Sequence, residues 1–550
     1  MRRRTVLPLL AAGLSSGLSS GLSGCGTQAG KMVADTAERT SALFKPAEKR
    51  RYANPVIEGG QGDPTVCRVG EDFFLVASSF EYFPALTVHH SRDLVHWRAL
   101  DHALNREGQV PLKDAVSGEG VIAPSLRWHG GRFWLLATSR GGGGTFLMSA
   151  KQAMGPWSDP QWIEGLDPGA VPSLFIDGQG KAWLVHEGSG GVFLAEFELE
   201  SARLRAATQR VWPGHNGLAP QLPVLVEREG WIYLFCTEGR LWDQGLTVAR
   251  SRSAAGPYEP CFDNPIASHR NAALEPLQML GRGEPVQAAN GTWWLLLSGT
   301  RPVGRATPLG REVLLAPMRW DEGGWPVVND HQPVAEELGV EQLPPAREWP
   351  VAPRREDFKG PGLPPEWQFL RGLAPGLWDL AERPGWLRLK GSATSLADVG
   401  TPAFVCRRLS SFQQHASTLL DFAPLRQGQQ AGLALRRDEA HHALLRLTGS
   451  GTAPRRVELM VRVKGQERIV AAAPLIGAAA FGAVRLRLDA YAERYDFSYA
   501  GEGADWRLLG SVPFNALAGD DSPAGLRIGL YASGPGAMPP ADFDWFELES

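Results

Sequence analysis

A short pattern of a polar turn followed by apolar and aromatic residues recurs five times in roughly the first 300 positions of the chain. The apolar runs cover residues 73–76, 133–136, 182–185, 232–235 and 293–296, and each follows a turn that contains glycine. Their aromatic residues at positions 74, 134, 183, 233 and 294 are separated by 60, 49, 50 and 61 residues. A turn followed by an aromatic run predicts a buried strand. Repetition at about 50 to 60 residues is typical of four-stranded blades, so we predict a five-bladed β-propeller over residues 51–345.

A second repeated segment supports this interpretation. Residues 149–157 read Ser-Ala-Lys-Gln-Ala-Met-Gly-Pro-Trp, and residues 251–258 read Ser-Arg-Ser-Ala-Ala-Gly-Pro-Tyr. Residues 90–97 form a looser third copy. The alternative that the pattern leaves open is an irregular sandwich of aromatic strands.

The pattern changes near residue 345. Four prolines predict a stiff linker there: Pro344, Pro345, Pro350 and Pro353. Beyond it, apolar and polar residues alternate in short segments separated by turn residues, as in 386–390, 431–436, 484–488 and 526–531. Such alternation predicts a C-terminal β-sandwich over residues 355–550, and the whole chain is expected to be all-β.

Residues 1–25 have the pattern of a secretory signal peptide. Three arginines follow Met1, an apolar stretch with small residues follows them, and Leu-Ser-Gly-Cys closes the segment at Cys25. This ending resembles a bacterial lipobox, whose cysteine is lipidated. The alternative is an ordinary signal peptide that contains a cysteine. With residues 26–50 as a polar tether, we expect a secreted protein of the bacterial cell envelope, lipid-anchored through Cys25. Membrane contact is expected through that anchor alone, since no later apolar run reaches the roughly 18 residues of a membrane span.

Composition and charge narrow the function classes. The formal net charge of the 550 residues is -3, which argues against a nucleic-acid partner because such proteins need a basic face. A hydrophobic content of 43% excludes disorder for most of the chain. Cys67 and Cys236 lie in apolar runs and are predicted to be buried thiols, while a Cys236–Cys261 disulfide remains open. No cysteine and histidine cluster has zinc spacing, and no cofactor is expected.

Several longer motifs follow one another in order. They are Asn54-Pro55-Val56, Gly62-Asp63-Pro64-Thr65, Ser-Ser-Phe-Glu-Tyr-Phe-Pro at 78–84, and further motifs at 90–94, 299–302, 310–312, 357–358, 367–371 and 382–385. From about residue 51 to its end, the chain resembles glycoside hydrolase family 43, which contains β-xylosidases and α-L-arabinofuranosidases. The resemblance implies a five-bladed propeller with a central sugar pocket and a C-terminal concanavalin A-like β-sandwich. It also implies an inverting mechanism and, as partners, oligo- or polysaccharides that contain pentose sugars.

Inverting glycoside hydrolysis uses two carboxyl groups about 6.5–9.5 Å apart, a base that activates water and an acid that protonates the leaving oxygen. Asp63 matches the family's base and precedes the first blade strand, where a turn would direct it to the central cavity. The alternative is a turn aspartate that caps backbone amides.

The other two carboxylates of the family pattern are replaced. Val171 stands where the family has the aspartate that raises the acid's pKa, and Leu218 stands where it has the acidic glutamate. Neither side chain can donate a proton. Asp167 and His215 are the possible substitutes, although a surface turn aspartate and a solvated loop histidine are the alternatives for them.

Other pocket positions are partly kept. Phe80, Arg311 and Glu238 match substrate-binding or network residues of the family, whereas Ile122 replaces a tryptophan of the pocket wall. Core packing and a surface ion pair are the alternatives for Phe80 and Arg311.

Arg282 replaces a histidine that often lies near a central cation in the family. We therefore expect no bound metal, and hypothesise that the Arg282 guanidinium supplies the positive charge. Three further glutamates lie near predicted strand ends, and nothing in the sequence selects among them: Glu119, Glu187 and Glu284.

Two functions remain open at this stage. The first is a glycosidase of the xylosidase or arabinofuranosidase type whose activity is impaired because the acid is missing or relocated. The second is a pseudoenzyme, a lectin-like surface lipoprotein that binds glycans without cleaving them. The replacements at Val171, Leu218 and Ile122 favour the second for natural xylosides.

Overall fold

The computed structural model describes residues 50–550 except 167–168, 217, 452 and 520–521. The predicted signal peptide, its Cys25 and the predicted tether up to residue 49 lie outside the described residues, as does Asp167. Among the described residues, no helix is long and apolar enough to cross a membrane.

The first two blades are each a four-stranded antiparallel sheet. The strands in this part of the chain are β1 (Arg50–Ala53), β2 (Thr65–Val69), β3 (Asp72–Val76), β4 (Tyr82–Phe83), β5 (Ala85–Ser91), β6 (Arg98–Leu104), β7 (Gly120–His129), β8 (Arg132–Arg140), β9 (Gly144–Ala150) and β10 (Gln161–Trp162). Blade 1 has the order β2-β3-β5-β6, and blade 2 has the order β7-β8-β9-β10. Strand β4 belongs to neither blade.

The next three blades repeat this arrangement. Their strands are β11 (Ser173–Ile176), β12 (Ala182–Gly188), β13 (Gly191–Glu198), β14 (Arg203–Leu204), β15 (Gln209–Trp212), β16 (Pro220–Arg228), β17 (Trp231–Glu238), β18 (Gly245–Ser251), β19 (Glu259–Pro260), β20 (Ala267–Ser268), β21 (Gln278–Gln287), β22 (Trp293–Thr300), β23 (Glu312–Trp320), β24 (Pro326–Val328) and β25 (Glu337–Val340). Blade 3 is built on β11-β12-β13, blade 4 on β16-β17-β18 and blade 5 on β21-β22-β23. Two 3-10 turns lie at Leu241–Asp243 and Asn329–His331. The five predicted aromatic runs are the second strands of the five blades, which confirms the prediction.

The blades close into a ring. The first strands β2, β7, β11, β16 and β21 contact one another in sequence, and β21 contacts β2. The N-terminal segment joins blade 5, because the Val56 amide donates to the Val313 carbonyl oxygen (2.9 Å). The Asn54 side chain also accepts from the Leu315 amide at 2.8 Å. The architecture is a five-bladed propeller, and the irregular sandwich is excluded.

The C-terminal region is a sandwich of two antiparallel sheets. Its strands are β26 (Arg355–Glu356), β27 (Gln368–Leu370), β28 (Trp378–Asp379), β29 (Leu387–Leu389), β30 (Ala403–Arg408), β31 (Gln414–Asp421), β32 (Gln430–Asp438), β33 (His441–Ser450), β34 (Ala453–Val463), β35 (Gln466–Pro474), β36 (Val484–Ala490), β37 (Arg494–Gly501), β38 (Arg507–Pro513), β39 (Arg527–Ser533) and β40 (Ala541–Glu549). A 3-10 turn, Gly477–Ala480, and one short helix, α1 (Phe514–Leu517), join strands. One sheet has the order β28-β29-β40-β31-β36-β37-β38, and the other has the order β35-β34-β33-β32-β39-β30-β27-β4. Alternate residues such as Leu433, Leu486 and Phe543 are buried between the sheets, as the alternation predicted.

The sandwich and the propeller share a sheet edge. Strand β4 leaves blade 1 and pairs with β27, so that Phe83 lies opposite Phe369. The segment after residue 521 also contacts the propeller, because the Arg311 amide donates to the Pro523 carbonyl oxygen at 3.0 Å. Ala524 of this segment packs in one apolar cluster with Phe80. The sandwich therefore adjoins the region where the sequence predicts the sugar pocket.

All four cysteines in the described residues are free and buried: Cys67, Cys236, Cys261 and Cys406. The prediction of buried thiols at Cys67 and Cys236 is confirmed. The Cys236–Cys261 disulfide that the sequence left open is not formed.

Candidate active site

Carboxyl groups from several blades meet at one end of the ring. Because the strands of a blade are antiparallel, the first strand begins at the end where the second strand finishes. Asp63 immediately precedes the first strand of blade 1, and Glu187 and Glu238 lie near the ends of the second strands of blades 3 and 4. We call this end of the ring the funnel face.

Asp63 is held by blades 1 and 2 together. Its backbone has a φ of 52°, which turns the chain sharply before β2. The Ser78 hydroxyl donates to Asp63 Oδ2 at 2.9 Å and accepts from the Ala123 amide at 2.9 Å. The Ser78 amide in turn donates to the Gly62 carbonyl oxygen at 2.8 Å. Asp63 is half-buried, and a short chain of hydrogen bonds fixes its carboxylate.

Phe80 and Arg311 lie next to the Asp63 turn. A Cβ atom added to Gly62 would lie 3.4 Å from Phe80 Cζ and 3.5 Å from Arg311 Cβ. Arg311 Nη2 donates to Gln244 Oε1 at 3.2 Å, which holds the half-buried guanidinium across blades 4 and 5. Arg311 thus brings a cationic donor to the side of the predicted base, whereas Phe80 is 3% exposed and packs with Ile122 and Val171, so that it backs this side from within the core.

Val171 and Leu218, where the sequence predicts that family carboxylates are replaced, differ in their surroundings. Val171 is buried in an apolar cluster with Phe80 and Ile122. Leu218 lies on the loop before β16 and is 41% exposed. The wall beside Asp63 is therefore apolar at residue 171, whereas residue 218 is open to solvent.

His215 and Glu238 form one local unit. Glu238 is buried, and its Oε1 accepts the His215 amide at 2.8 Å. The His215 ring contacts the side-chain amide of Asn216 at 2.8 Å. Burial raises the pKa of Glu238 above its usual range. Glu238 therefore fixes the loop that carries Leu218 to the end of β17.

Arg282 occupies the centre of the ring. The residue is 1% exposed, and its Nη2 donates to the Pro124 carbonyl oxygen at 2.8 Å. Nη2 also lies 4.0 Å from Glu284 Oε2, and Glu284 is ion-paired to Arg127. The carboxylates of Asp63 and Glu187 lie within electrostatic range of the Arg282 guanidinium.

Arg127 and Arg282 both lie beside Glu284, and their positive charges would repel a metal cation at the centre of the ring. In the part of the chain that the structure describes, no group of three His, Cys, Asp or Glu residues could hold a metal ion. We derive no step through a metal.

Two features of the site could not be identified from the sequence alone. Ser78 lies in the motif at 78–84, but only the fold shows that its hydroxyl joins Asp63 to the Ala123 amide of the next blade. Glu187 lies at the funnel face, and burial raises its pKa to about 7. In the sequence, the only feature that marks Glu187 as a candidate is its position just after the third aromatic run, residues 182–185.

Comparison with known proteins identifies the family. The model of "Glycosyl hydrolases family 43" matches residues 52–326, and that of the "Beta xylosidase C-terminal Concanavalin A-like domain" matches residues 355–549. The protein thus combines a family 43 propeller with a C-terminal concanavalin A-like sandwich. The chain belongs to glycoside hydrolase family 43.

Relatives extend over nearly the whole chain. A non-reducing end alpha-L-arabinofuranosidase of Bacteroides ovatus is 36% identical over 513 residues, which is 91% of this chain and 95% of the relative. A solved structure named "Bacteroides ovatus Xyloglucan PUL GH43B" has a TM-score of 0.85 at 34% identity and covers 91% of this chain and 100% of its own. The xylan beta-1,4-xylosidase of Bacillus halodurans has a TM-score of 0.83 at 30% identity, with coverage of 91% and 100%.

Proposed function

We propose that this chain hydrolyses terminal pentosides, β-xylosides or α-L-arabinofuranosides, by an inverting reaction in which Asp63 is the base. The observation that supports the proposal is the orientation of Asp63. Its carboxylate accepts from the Ser78 hydroxyl at 2.9 Å, in a turn at the funnel face where the neighbouring Gly62 adjoins Phe80 and Arg311. Relatives named as an arabinofuranosidase and a xylosidase support the substrate class.

In this proposal Asp63 draws a proton from water as the water attacks the anomeric carbon. The Ser78 hydroxyl occupies Oδ2, so the other carboxylate oxygen is available to that water. Arg311 offers hydrogen-bond donors to the hydroxyl groups of the sugar, and the buried Phe80 backs the turn that holds Asp63. The departing oxygen needs a proton from another group, because Leu218 and Val171 have none to give.

The product anomer tests the proposal. Purified protein is given 2,4-dinitrophenyl β-D-xyloside or α-L-arabinofuranoside, and proton NMR records which anomer appears first. We expect the inverted anomer from wild type and a rate lower by about 10²- to 10⁴-fold in Asp63→Asn. The exposed Asp263 provides a matched control, since Asp263→Asn removes the same charge elsewhere on the propeller. Retained configuration, or full activity in Asp63→Asn, contradicts the proposal.

A second candidate is glycan binding without turnover. The specific observation in its favour is that Val171 is buried in an apolar cluster at a position where the family pattern has a carboxylate. Isothermal titration with xylo- and arabino-oligosaccharides distinguishes the two functions. Micromolar binding with no turnover of oligosaccharide or aryl glycoside favours the lectin-like candidate.

We also propose that the chain is exported and anchored by lipid on Cys25, at the end of the signal-like segment. Metabolic labelling with a radioactive fatty acid in a bacterial host tests this. We expect label in the membrane fraction for wild type and none for Cys25→Ala.

A further inference from the structure

The carboxyl group of Glu187 lies close to the place from which the family's third carboxylate is missing. Ser173 of β11 pairs with Val185 of β12. Val171 lies two residues before Ser173, and Glu187 lies two residues after Val185. Antiparallel strands run in opposite directions, so both residues are displaced toward the funnel face by the same amount. In blade 3 the residue opposite Val171 is therefore Glu187, whose carboxyl group comes from the second strand of the blade.

The surroundings of Glu187 direct its carboxyl toward the ring centre. The backbone amides of Glu187 itself and of Leu222 in blade 4 favour the charged form of this carboxyl and lower its pKa, against the larger effect of burial. Leu222 has a φ of 49° within a bulge of β16, and this irregularity turns its amide out of the ladder. Arg140 of blade 2 and Arg282 of blade 5 are the charged groups that act on Glu187, and the Cys236 thiol of blade 4 lies within electrostatic range.

One oxygen of Glu187 has no partner. Oε2 is buried and makes no hydrogen bond within the described residues, although the residue as a whole is half-buried. Burial disfavours the charged form, and the nearby guanidinium groups and the Leu222 amide oppose this only in part. The resulting pKa of about 7 leaves a large share of the carboxyl protonated near neutral pH.

The other two glutamates of the ring, Glu238 and Glu284, also have a buried Oε2 without a hydrogen bond among the described residues, but both residues are almost fully buried. Glu284 is ion-paired to Arg127. Glu238 is 2% exposed and accepts the His215 amide, so it is both less accessible and tied to a loop. Of these three, Glu187 is the residue that is partly exposed and whose pKa is raised by burial to about 7.

We propose that Glu187 is the proton donor of this site, in place of the glutamate that Leu218 replaces. This inference rests on the proposed hydrolysis by Asp63. As the glycosidic C–O bond breaks, its electron pair stays on the leaving oxygen, and the Glu187 proton moves to that oxygen. Water forms the new bond at the anomeric carbon and gives one proton to Asp63. Solvent then takes the proton from Asp63 and restores the proton of Glu187.

Leaving-group dependence tests this role. Wild type, Glu187→Gln and Glu196→Gln are each assayed with 2,4-dinitrophenyl β-D-xyloside and with xylobiose, and with the corresponding arabinosides. Glu196 is a matched control, because it lies on the same blade and its carboxylate contacts only surface cations such as Lys181 (2.8 Å). Circular dichroism verifies that each variant is folded.

We expect Glu187→Gln to lose about 10²- to 10⁴-fold in kcat/KM on the disaccharide, and to change little on the dinitrophenyl glycoside, which leaves without a proton. On the disaccharide, wild-type kcat/KM should fall above pH about 7, and this alkaline limb should be absent in Glu187→Gln. A merely structural role would reduce turnover of both substrates alike.

The possible failures can be told apart. Equal loss on both substrates, or no loss on the disaccharide, overturns the role of Glu187 while hydrolysis by Asp63 stands. If wild type turns over neither substrate class, the proposed hydrolysis fails, and the role of Glu187 fails with it.

Discussion

Arg436 of the sandwich donates a hydrogen bond from Nη1 to Glu81 Oε1 of the propeller at 3.3 Å, and both side chains are fully buried. The same Nη1 donates to the Tyr82 hydroxyl at 2.9 Å. Glu81 follows Phe80, which adjoins the Asp63 turn, and Tyr82 begins β4 in the sandwich sheet. The sandwich therefore supports the chain next to the candidate site.

Removal of one partner from this pair should be strongly destabilising. Glu81→Gln removes the fully buried counter-charge of the Arg436 guanidinium, which then pairs with the half-buried Glu439 at 3.1 Å, so we expect a loss of up to about 3 to 5 kcal/mol. Urea unfolding measures the change. We expect the double variant Glu81→Gln/Arg436→Met to recover part of the loss, and strictly additive effects would contradict a direct interaction.

Ser78→Ala should reduce hydrolysis without unfolding the protein. The variant removes the hydroxyl that donates to Asp63 Oδ2. A hydrogen bond to a charged group contributes about 1.5 to 3 kcal/mol, so kcat/KM should fall by about 10- to 150-fold. Steady-state kinetics on the dinitrophenyl glycoside measures this, and unchanged kinetics would show that Ser78 does not position the base.

Gly310 should be intolerant of a side chain. Its φ is 74°, and a Cβ atom there would lie 2.6 Å from the Pro523 carbonyl oxygen. Gly310→Ala should push the sandwich segment away from Arg311, lower the melting temperature and raise KM. Gly304 is the control, since its φ is 62° but a Cβ atom would meet open space. Equal effects of Gly304→Ala and Gly310→Ala would show that backbone strain alone is responsible.

Val171 and Leu218, the two predicted replacements of family carboxylates, should tolerate an acidic side chain to different degrees. Val171→Asp places a charge in an apolar cluster and should cost several kcal/mol. Leu218→Glu places it on a 41% exposed side chain and should leave stability within about 0.5 kcal/mol. Thermal unfolding of the two variants checks this, and a stable Val171→Asp protein would mean that the pocket wall is more polar than its packing indicates.

The raised pKa of Glu187 also predicts a pH dependence of stability. The group binds its proton more tightly in the folded state, with a pKa of about 7, than at its ordinary value of 4.5. Folding is therefore favoured by protonation, and stability should fall as the pH rises from about 4.5 to 7, by at most about 3 kcal/mol. Urea unfolding across this range should show a shallower fall in Glu187→Gln. Parallel curves for the two proteins would contradict the shift.

The propeller could be predicted because its signal is local and repeated. Each blade contributes one turn and one aromatic second strand, and five copies at similar spacing define the ring. Strand β4 could not be predicted, because Tyr82 and Phe83 pair with residues of β27 that lie far along the chain. No periodic pattern marks two residues that leave one sheet to join another.

The candidate site likewise has one part that the sequence predicts and another part that only the fold shows. The motif at residues 62–65 predicts Asp63 as the base, and measurements of activity test that role. Glu187 could not be selected from sequence, because its significance depends on the register with Ser173 and on the bulge that presents the Leu222 amide. Both are properties of the assembled blades.

The most direct test of the account is the rate at which Asp63→Asn turns over a dinitrophenyl glycoside, compared with wild type. This substrate needs no proton donor, so the measurement isolates the base. The account predicts a loss of about 10²- to 10⁴-fold in kcat with an unchanged melting temperature. Turnover by Asp63→Asn at the wild-type rate would contradict it.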